Sequence, residues 1–163
     1  MKEIELTQGQ ITIVDDEDYE YLSQWKWYAK LSISTGKFYA VRSDRTSGKH
    51  KTIWMHRVIM KTPKDMETDH KDLNTLLNLR SNLRNATASQ NRANKNAQKN
   101  NKNKYKGVSP SSKNRYMVNI NRDGKRIYVG NYEKLKDAAL AYDKKAIELF
   151  GEFARLNFHE SEL

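Results

Sequence analysis

The sequence predicts an α+β protein built as two small modules. Three features carry this expectation: an aromatic, β-rich stretch over residues 1–60, two alternating segments joined by Asp123-Gly124, and one amphipathic helical stretch after them. A chain of 163 residues suits one ordinary domain or two small ones with modest cores. The change of character across an Asn/Lys-rich stretch favours two.

Taken in order, ITIV (11–14) and FYAV (38–41) read as short strands, and DYEYLSQW (18–25) as a helical turn or short helix after the acidic Asp15–Asp18 run. Trp25, Trp27, Tyr28, Phe38 and Trp54 have faces able to stack on bases, but in a small domain such residues build the core, and they are assigned to it here. His56, in WMHRVIM, follows an apolar run and is read as structural. From 92 to 104, RANKNAQKNNKNK has no apolar periodicity and cannot offset its ordering entropy, so it is read as a linker. Either it is a solvated tether or it is a basic strap lying along phosphates. After it, YKGVS (105–109) gives a short strand, and RYMVNIN and KRIYVGNY alternate about the two-residue turn Asp123-Gly124. In EKLKDAALAYDKKAIELFG, Leu135, Ala138, Ala139, Tyr142, Ala146, Leu149 and Phe150 form one helical stripe that stops at Gly151. One helix should therefore cover a three-stranded antiparallel sheet. The expected boundaries are 1–91, a linker at 92–104, and 105–163.

Lys and Arg number 30 against 20 Asp and Glu, a formal charge of +10 that points to an acidic polymer, best a nucleic acid. The absence of cysteine excludes disulfides and thiolate zinc fingers. His50, His56, His70 and His159 make no two-histidine metal spacing, so a metal site would have to use mainly oxygen ligands. No run of about 18 apolar residues occurs and MKEIELTQGQ lacks a signal-like core, so a soluble, cytoplasmic protein without a membrane partner is expected.

The segment TDHKDLNTLLNLRSNLRNATASQN, residues 68–91, carries Asp69, His70, Asn82 and Asn91. Phosphodiester hydrolysis needs a deprotonated water, an in-line approach and positive charge at the leaving 3′ oxygen. A neutral imidazole at His70 suits the base. Asn82 could accept its second N–H and fix the tautomer, or serve only as a turn residue. Asp69 and Asn91 offer hard oxygens of the kind that hold Mg²⁺ or Mn²⁺ with waters retained. On a strand, Asp69 and His70 would face opposite sides unless the strand ends in the turn that DLNTLLN suggests.

Together ETDHKDLN, LNLRSNLRNAT and SQNRANK resemble the His-Asn-His family of homing endonucleases, whose site is a ββα-metal fold. The pattern is matched in order and spacing over residues 66–95, and LTQGQITIVDDEDYEYLSQWKWYA with MHRVIM resembles the N-terminal half of phage and bacterial intron-type members. The resemblance implies His70 as general base, Asn82 as its orienter, and Asp69 with Asn91 holding one Mg²⁺ or Mn²⁺ ion. Many relatives carry His where Asn91 stands, and the loss of that imidazole argues against Zn²⁺ or Ni²⁺.

In the C-terminal hairpin, Tyr116, Val118, Ile120, Ile127 and Val129 share one face, and Met117, Asn119, Asn121, Arg126 and Tyr128 the other, with Arg115, Arg122 and Lys125 at the edges. The polar face is either a solvated surface or a ribbon for the major groove, where Asn pairs with adenine and Arg with guanine. YKGVS, YMVNINRDGKRIYVGNY and AALAYDKKAIELFGEFARLNF resemble the plant ethylene-response-factor (apetala-type) DNA-binding domain over residues 104–158. That implies base reading by Lys106, Ser109 and Ser111 on the first strand, Asn119 and Asn121 on the second, and Arg126 and Tyr128 on the third. Serines and asparagines replace mostly charged residues and Tyr128 replaces Trp, so a different, more A·T-tolerant target is expected. The sequence thus predicts a site-selecting, homing-type endonuclease on double-stranded DNA, of phage or mobile-element origin, acting in the bacterial cytoplasm as a monomer rather than a dimer. The alternative is a DNA-binding regulator with an inactive nuclease-like domain.

Overall fold

The computed structural model describes residues 1–33, 35–46, 48–98, 101, 103–112 and 114–158. They form a mixed α and β protein in two compact units, Met1–Thr87 and Ala88–Leu163.

In the first unit, β1 (Lys2–Glu5) pairs antiparallel with β2 (Ile11–Val14), and the short helix α1 (Asp16–Leu22) follows. A meander of β3 (Tyr28–Ser32), β4 (Lys37–Asp44) and β5 (Lys51–Trp54) makes a second sheet and runs into α2 (Met55–Ile59). Next come β6 (Glu67–His70), the two-residue β7 (Leu77–Asn78) and β8 (Leu83–Ala86). β6 and β8 form an antiparallel pair, whereas β7 runs parallel to β2 with Val14 opposite Asn78. The core joins Val14, Leu22, Trp27, Ala29, Ala40, Met55 and Leu83, with Trp25 and Phe38 packed against it. The aromatic residues assigned to the core divide accordingly: Trp27 is buried, while Tyr28 and Trp54 are half-buried. The acidic run after β2 has a defined task, since Arg80 bonds Asp18 through Nε and Nη2 at 2.8 and 2.6 Å and its N–H reaches Asp15 Oδ2 at 2.7 Å. A planar guanidinium meeting a carboxylate in this two-pronged way fixes geometry as well as charge, here between α1 and the loop before β8.

The second unit contains α3 (Ala88–Ala93), β9 (Val108–Pro110), β10 (Tyr116–Arg122), β11 (Lys125–Tyr132) and α4 (Leu135–Phe150), the sheet having the order β11-β10-β9. Asp123 and Gly124 both have positive φ, 50° and 77°, as a type I′ hairpin turn requires. Val118, Ile120 and Val108 face Ala138, Ala139, Tyr142, Ala146 and Phe150 of α4 in one core. Gly107 is obligatory where the sheet meets that helix: its φ is +74°, and a Cβ there would lie 2.0 Å from the Tyr142 ring. Asp143 is fully buried within the helical stripe and accepts hydrogen bonds from the N–H groups of Asn157 and Phe158 at 2.8 and 2.9 Å. The boundary between units falls at Thr87/Ala88. In the stretch expected to be a linker, Ala93 and Asn94 are buried, and Arg155 N–H donates to the Ala93 carbonyl at 3.2 Å. Residues 99, 100 and 102 of that stretch, and His159, lie outside the described residues.

Candidate active site and nucleic-acid face

His70 ends β6, where its ring is 5% exposed. Leu83 stands opposite it in the ladder, and the preceding pair is Asp69 with Arg84. Arg84 meets Asp69 Oδ2 through Nε at 2.9 Å and Nη2 at 2.8 Å, and Asp69 is 4% exposed, so this is a buried ion pair between the two strands. The imidazole packs edge-on against His56 at 5.2 Å between ring centres and against Tyr39 at 6.4 Å. Its Nε2 lies 3.1 Å from Asn78 Oδ1. Burial holds the His70 pKa below the ordinary imidazole value, opposed by the Asn78 bond and the charge of Asp69. At neutral pH the ring is therefore uncharged and able to accept a proton.

Asn82 occupies the other end of the loop that follows His70. Its Oδ1 accepts the Asp72 N–H at 3.1 Å, its Nδ2 donates to the Leu77 carbonyl at 2.9 Å, and its backbone carbonyl accepts the Lys71 N–H at 2.9 Å. The sequence offered it either an imidazole contact or a turn role, and these bonds brace the turn. Asp72 and Asn74 add side-chain bonds to the N–H groups of Asn74 and Leu76 at 2.8 and 3.2 Å, and Leu73 takes a φ of 67°. Two 2.5 Å bonds tie the same loop to β4, the Lys37 ammonium donating to the Leu73 carbonyl and the Thr75 hydroxyl to the Phe38 carbonyl.

Two side chains beside His70 escaped the sequence reading. Asn78 is fully buried, and its Nδ2 donates to Thr12 Oγ1 at 2.8 Å. No local pattern marks it, because Thr12 is brought beside it by the parallel β2–β7 pairing. His56, which the sequence left out of the site, lies in α2 with its ring 5.2 Å from that of His70. Its Nδ1 is buried without a hydrogen-bond partner among the described residues, and burial, then the nearby His70 and Arg57, push its pKa down to about 3. Asn91 lies on α3, in the second unit. Among the described residues no group of three or more His, Cys, Asp or Glu could hold a metal ion. A metal there would need amide oxygens and water besides Asp69.

In the second unit the register places Ser109 opposite Met117, Asn119 opposite Tyr128 and Asn121 opposite Arg126, all on the sheet face away from α4. A bulge between Val118 and Asn119 keeps Tyr128 on this face, where it is 61% exposed. Arg126 and Asn121 are exposed as well. Lys106 and Ser111 stand off that face, and Arg115 stands at its edge. Lys106 precedes β9, and its ammonium bonds the Ala93 carbonyl; burial, and next the nearby Arg155 charge, lower its pKa to about 8. Ser111 follows β9, its N–H donating to Arg115 O at 2.7 Å. Arg115 reaches the Asn131 carbonyl at 3.1 Å from the sheet edge.

No family model matches the chain. A protein of Acanthamoeba polyphaga mimivirus, named as an uncharacterized HNH endonuclease, is 35% identical over 150 residues, covering 91% of this chain and 75% of the viral protein. Dehydration-responsive element-binding protein 2D of Arabidopsis thaliana is 37% identical over 59 residues, 35% of this chain and 29% of the plant protein.

Proposed function

The chain belongs to the HNH endonuclease family, and from that premise we propose that it is a metal-dependent, site-selecting endonuclease on double-stranded DNA, of the homing type. The observation that carries the reading is the setting of His70: an uncharged, buried imidazole at a strand end, braced by Asn78 and adjoining the carboxylate of Asp69. In this reading His70 takes the proton of the attacking water, and Asn82 holds the loop that presents it.

Asp69 and Asn91 are the residues that would hold the metal. A carboxylate and an amide oxygen suit a hard ion such as Mg²⁺ or Mn²⁺ that retains several waters. When bound, such an ion supplies charge neutralisation at the leaving oxygen. Asn119, Asn121, Arg126 and Tyr128 are proposed to read bases, with Ser109 beside them, while Lys106, Ser111 and Arg115 support the sheet. The likeness to a plant protein named as a dehydration-responsive element-binding protein supports this use of the sheet. Two linked DNA contacts raise the effective concentration of each, so a monomer suffices for site selection. A mobile-element setting in keeping with the viral relative completes the proposal.

The test is cleavage of supercoiled plasmid and of a degenerate duplex pool in Mg²⁺, Mn²⁺ or EDTA, by the wild type and by Asp69→Ala. The expected result is cleavage that requires metal and is lost in the variant, the products separating nicking from double-strand cutting. Cleavage that survives chelation, or that appears only with Zn²⁺, would contradict the proposal.

A further inference from the structure

We infer that the cavity between Lys106 and Arg155 in the second unit is a binding site for a phosphate group, set apart from the base-reading face of the sheet. Its volume is about 320 Å³, near the lower end of ligand pockets, which run from roughly 300 to 1,000 Å³. Three cations, Lys104, Lys106 and Arg155, line it together with Asn96, Tyr105 and Asn157, and among the described residues no carboxylate does.

Donors and acceptors around the cavity decide the sign of its ligand. The Tyr105 carbonyl accepts Asn101 Nδ2 at 2.6 Å, and the Lys106 carbonyl accepts Asn157 Nδ2 at 3.2 Å. Asn157 Oδ1 takes the Lys106 N–H at 2.6 Å, and Asn96 Oδ1 takes Arg155 Nε at 3.2 Å. The Ala93 carbonyl accepts both the Lys106 ammonium and the Arg155 N–H. These oxygens are therefore engaged. Donors are in surplus, since an ammonium carries three N–H bonds and a guanidinium five. Among the described residues the Lys106 ammonium bonds only Ala93, and the Arg155 side chain only Asn96. Asn96, its oxygen held by Arg155, adds an NH₂ group to the wall. Positively charged donors in excess select anionic oxygens, and a phosphate presents several to a guanidinium fork and an ammonium at once.

The charges point the same way. Lys106 is half-buried, and among the described residues neither it nor Arg155 forms an ion pair. Burial, and next the Arg155 charge, lower the Lys106 pKa to about 8; Asp143 opposes them from beyond ion-pair distance, its oxygens held by the N–H groups of Asn157 and Phe158. Two like charges held together repel, and an anion between them gives both a shared partner. The donors are also fixed in advance. Two hydrogen bonds join Lys106 to Asn157, Asp143 anchors Asn157, and Ala93 holds the Lys106 ammonium beside the Arg155 backbone. A wall already ordered loses little freedom on binding. A phosphodiester of a nucleic-acid strand and the phosphate of a free nucleotide share the chemistry this site takes.

The experiment titrates the full ¹⁵N-labelled chain with inorganic phosphate at constant ionic strength and about pH 7, where the Lys106 ammonium is charged. Backbone amide shifts are the readout. Saturable shifts should gather at Lys106, Arg155 and Asn157. Arg155→Gln, at an exposed position whose backbone bond to Ala93 remains, should weaken the fitted Kd about 10-fold or more, as loss of one charge-assisted contact does. Arg155→Lys should recover part of that affinity. Titration with adenosine 5′-monophosphate, followed by addition of a DNA duplex, separates the two sources. Displacement by the duplex assigns the pocket to the DNA backbone, and nucleotide binding that is tighter than that of phosphate and survives the duplex assigns it to a free nucleotide. The absence of saturable shifts at these residues, or an Arg155→Gln affinity equal to that of the wild type, overturns the inference.

Discussion

Mild acid should destabilise the first unit through His56. The folded-state pKa of this histidine is about 3, against an ordinary value of 6.5. The unfolded chain therefore takes up the proton first, so the stability is complete above pH 6.5 and falls as the pH drops through 6.5 toward 3. Each pH unit in that window is worth about 1.4 kcal/mol, giving a loss of about 2 kcal/mol between pH 6.5 and 5. His70 is shifted in the same direction and adds to the loss. The exposed carboxylates Asp16 and Asp44 are shifted below 3.8, so neither titrates between pH 6.5 and 5. All 3 tryptophans, Trp25, Trp27 and Trp54, belong to the first unit, so their fluorescence follows its unfolding alone. Urea titrations at pH 7 and pH 5 should show the midpoint falling in the wild type and falling distinctly less in His56→Leu. Equal losses in the two proteins would refute the assignment to His56, and a wild type equally stable at both pH values would refute the whole argument.

In the second unit, Gly107→Ala should cost about 3 kcal/mol or more, because the new Cβ meets the Tyr142 ring and the backbone has positive φ; calorimetry should show that unit's transition lowered or lost. Asp143→Ala strands the buried donors of Asn157 and Phe158 and should cost roughly 2–4 kcal/mol by the same measurement. Asn121→Ala, Arg126→Ala and Tyr128→Ala should leave the fold intact, since all three side chains are exposed. Each should weaken binding to a selected duplex by about 1–3 kcal/mol, and binding to a scrambled duplex far less, in fluorescence anisotropy. Equal weakening on both duplexes would assign the face to phosphates.

The second unit was legible in its sequence because its signals are local: strict alternation, an Asp-Gly turn and a helical stripe each occupy a single window. Asp143 broke that legibility, since a carboxylate at that position reads as solvated until residues 157 and 158 return to cap it. The first unit yielded less. Tyr28–Ser32 and Lys51–Trp54 became strands by pairing on either side of Lys37–Asp44, a tertiary cause without a local pattern. Asp69, His70 and Asn82 were readable as a spaced set, yet what Asn82 bonds depended on the path of the loop. Asn78 was illegible because its role comes from Thr12, 66 residues away, through a two-residue parallel strand. Lys106 looked like a surface cation, and only the return of Ala93 and Arg155 to its side made it an interior one.

The central claim is that His70 removes the proton of the attacking water. Its most direct test is single-turnover cleavage of one selected duplex in Mg²⁺ by the wild type and by His70→Ala, with affinity for the same duplex measured in parallel without metal. Removal of a general base should lower the cleavage rate by about 10²- to 10⁴-fold and leave that affinity unchanged. Equal cleavage rates at equal affinity would contradict the claim.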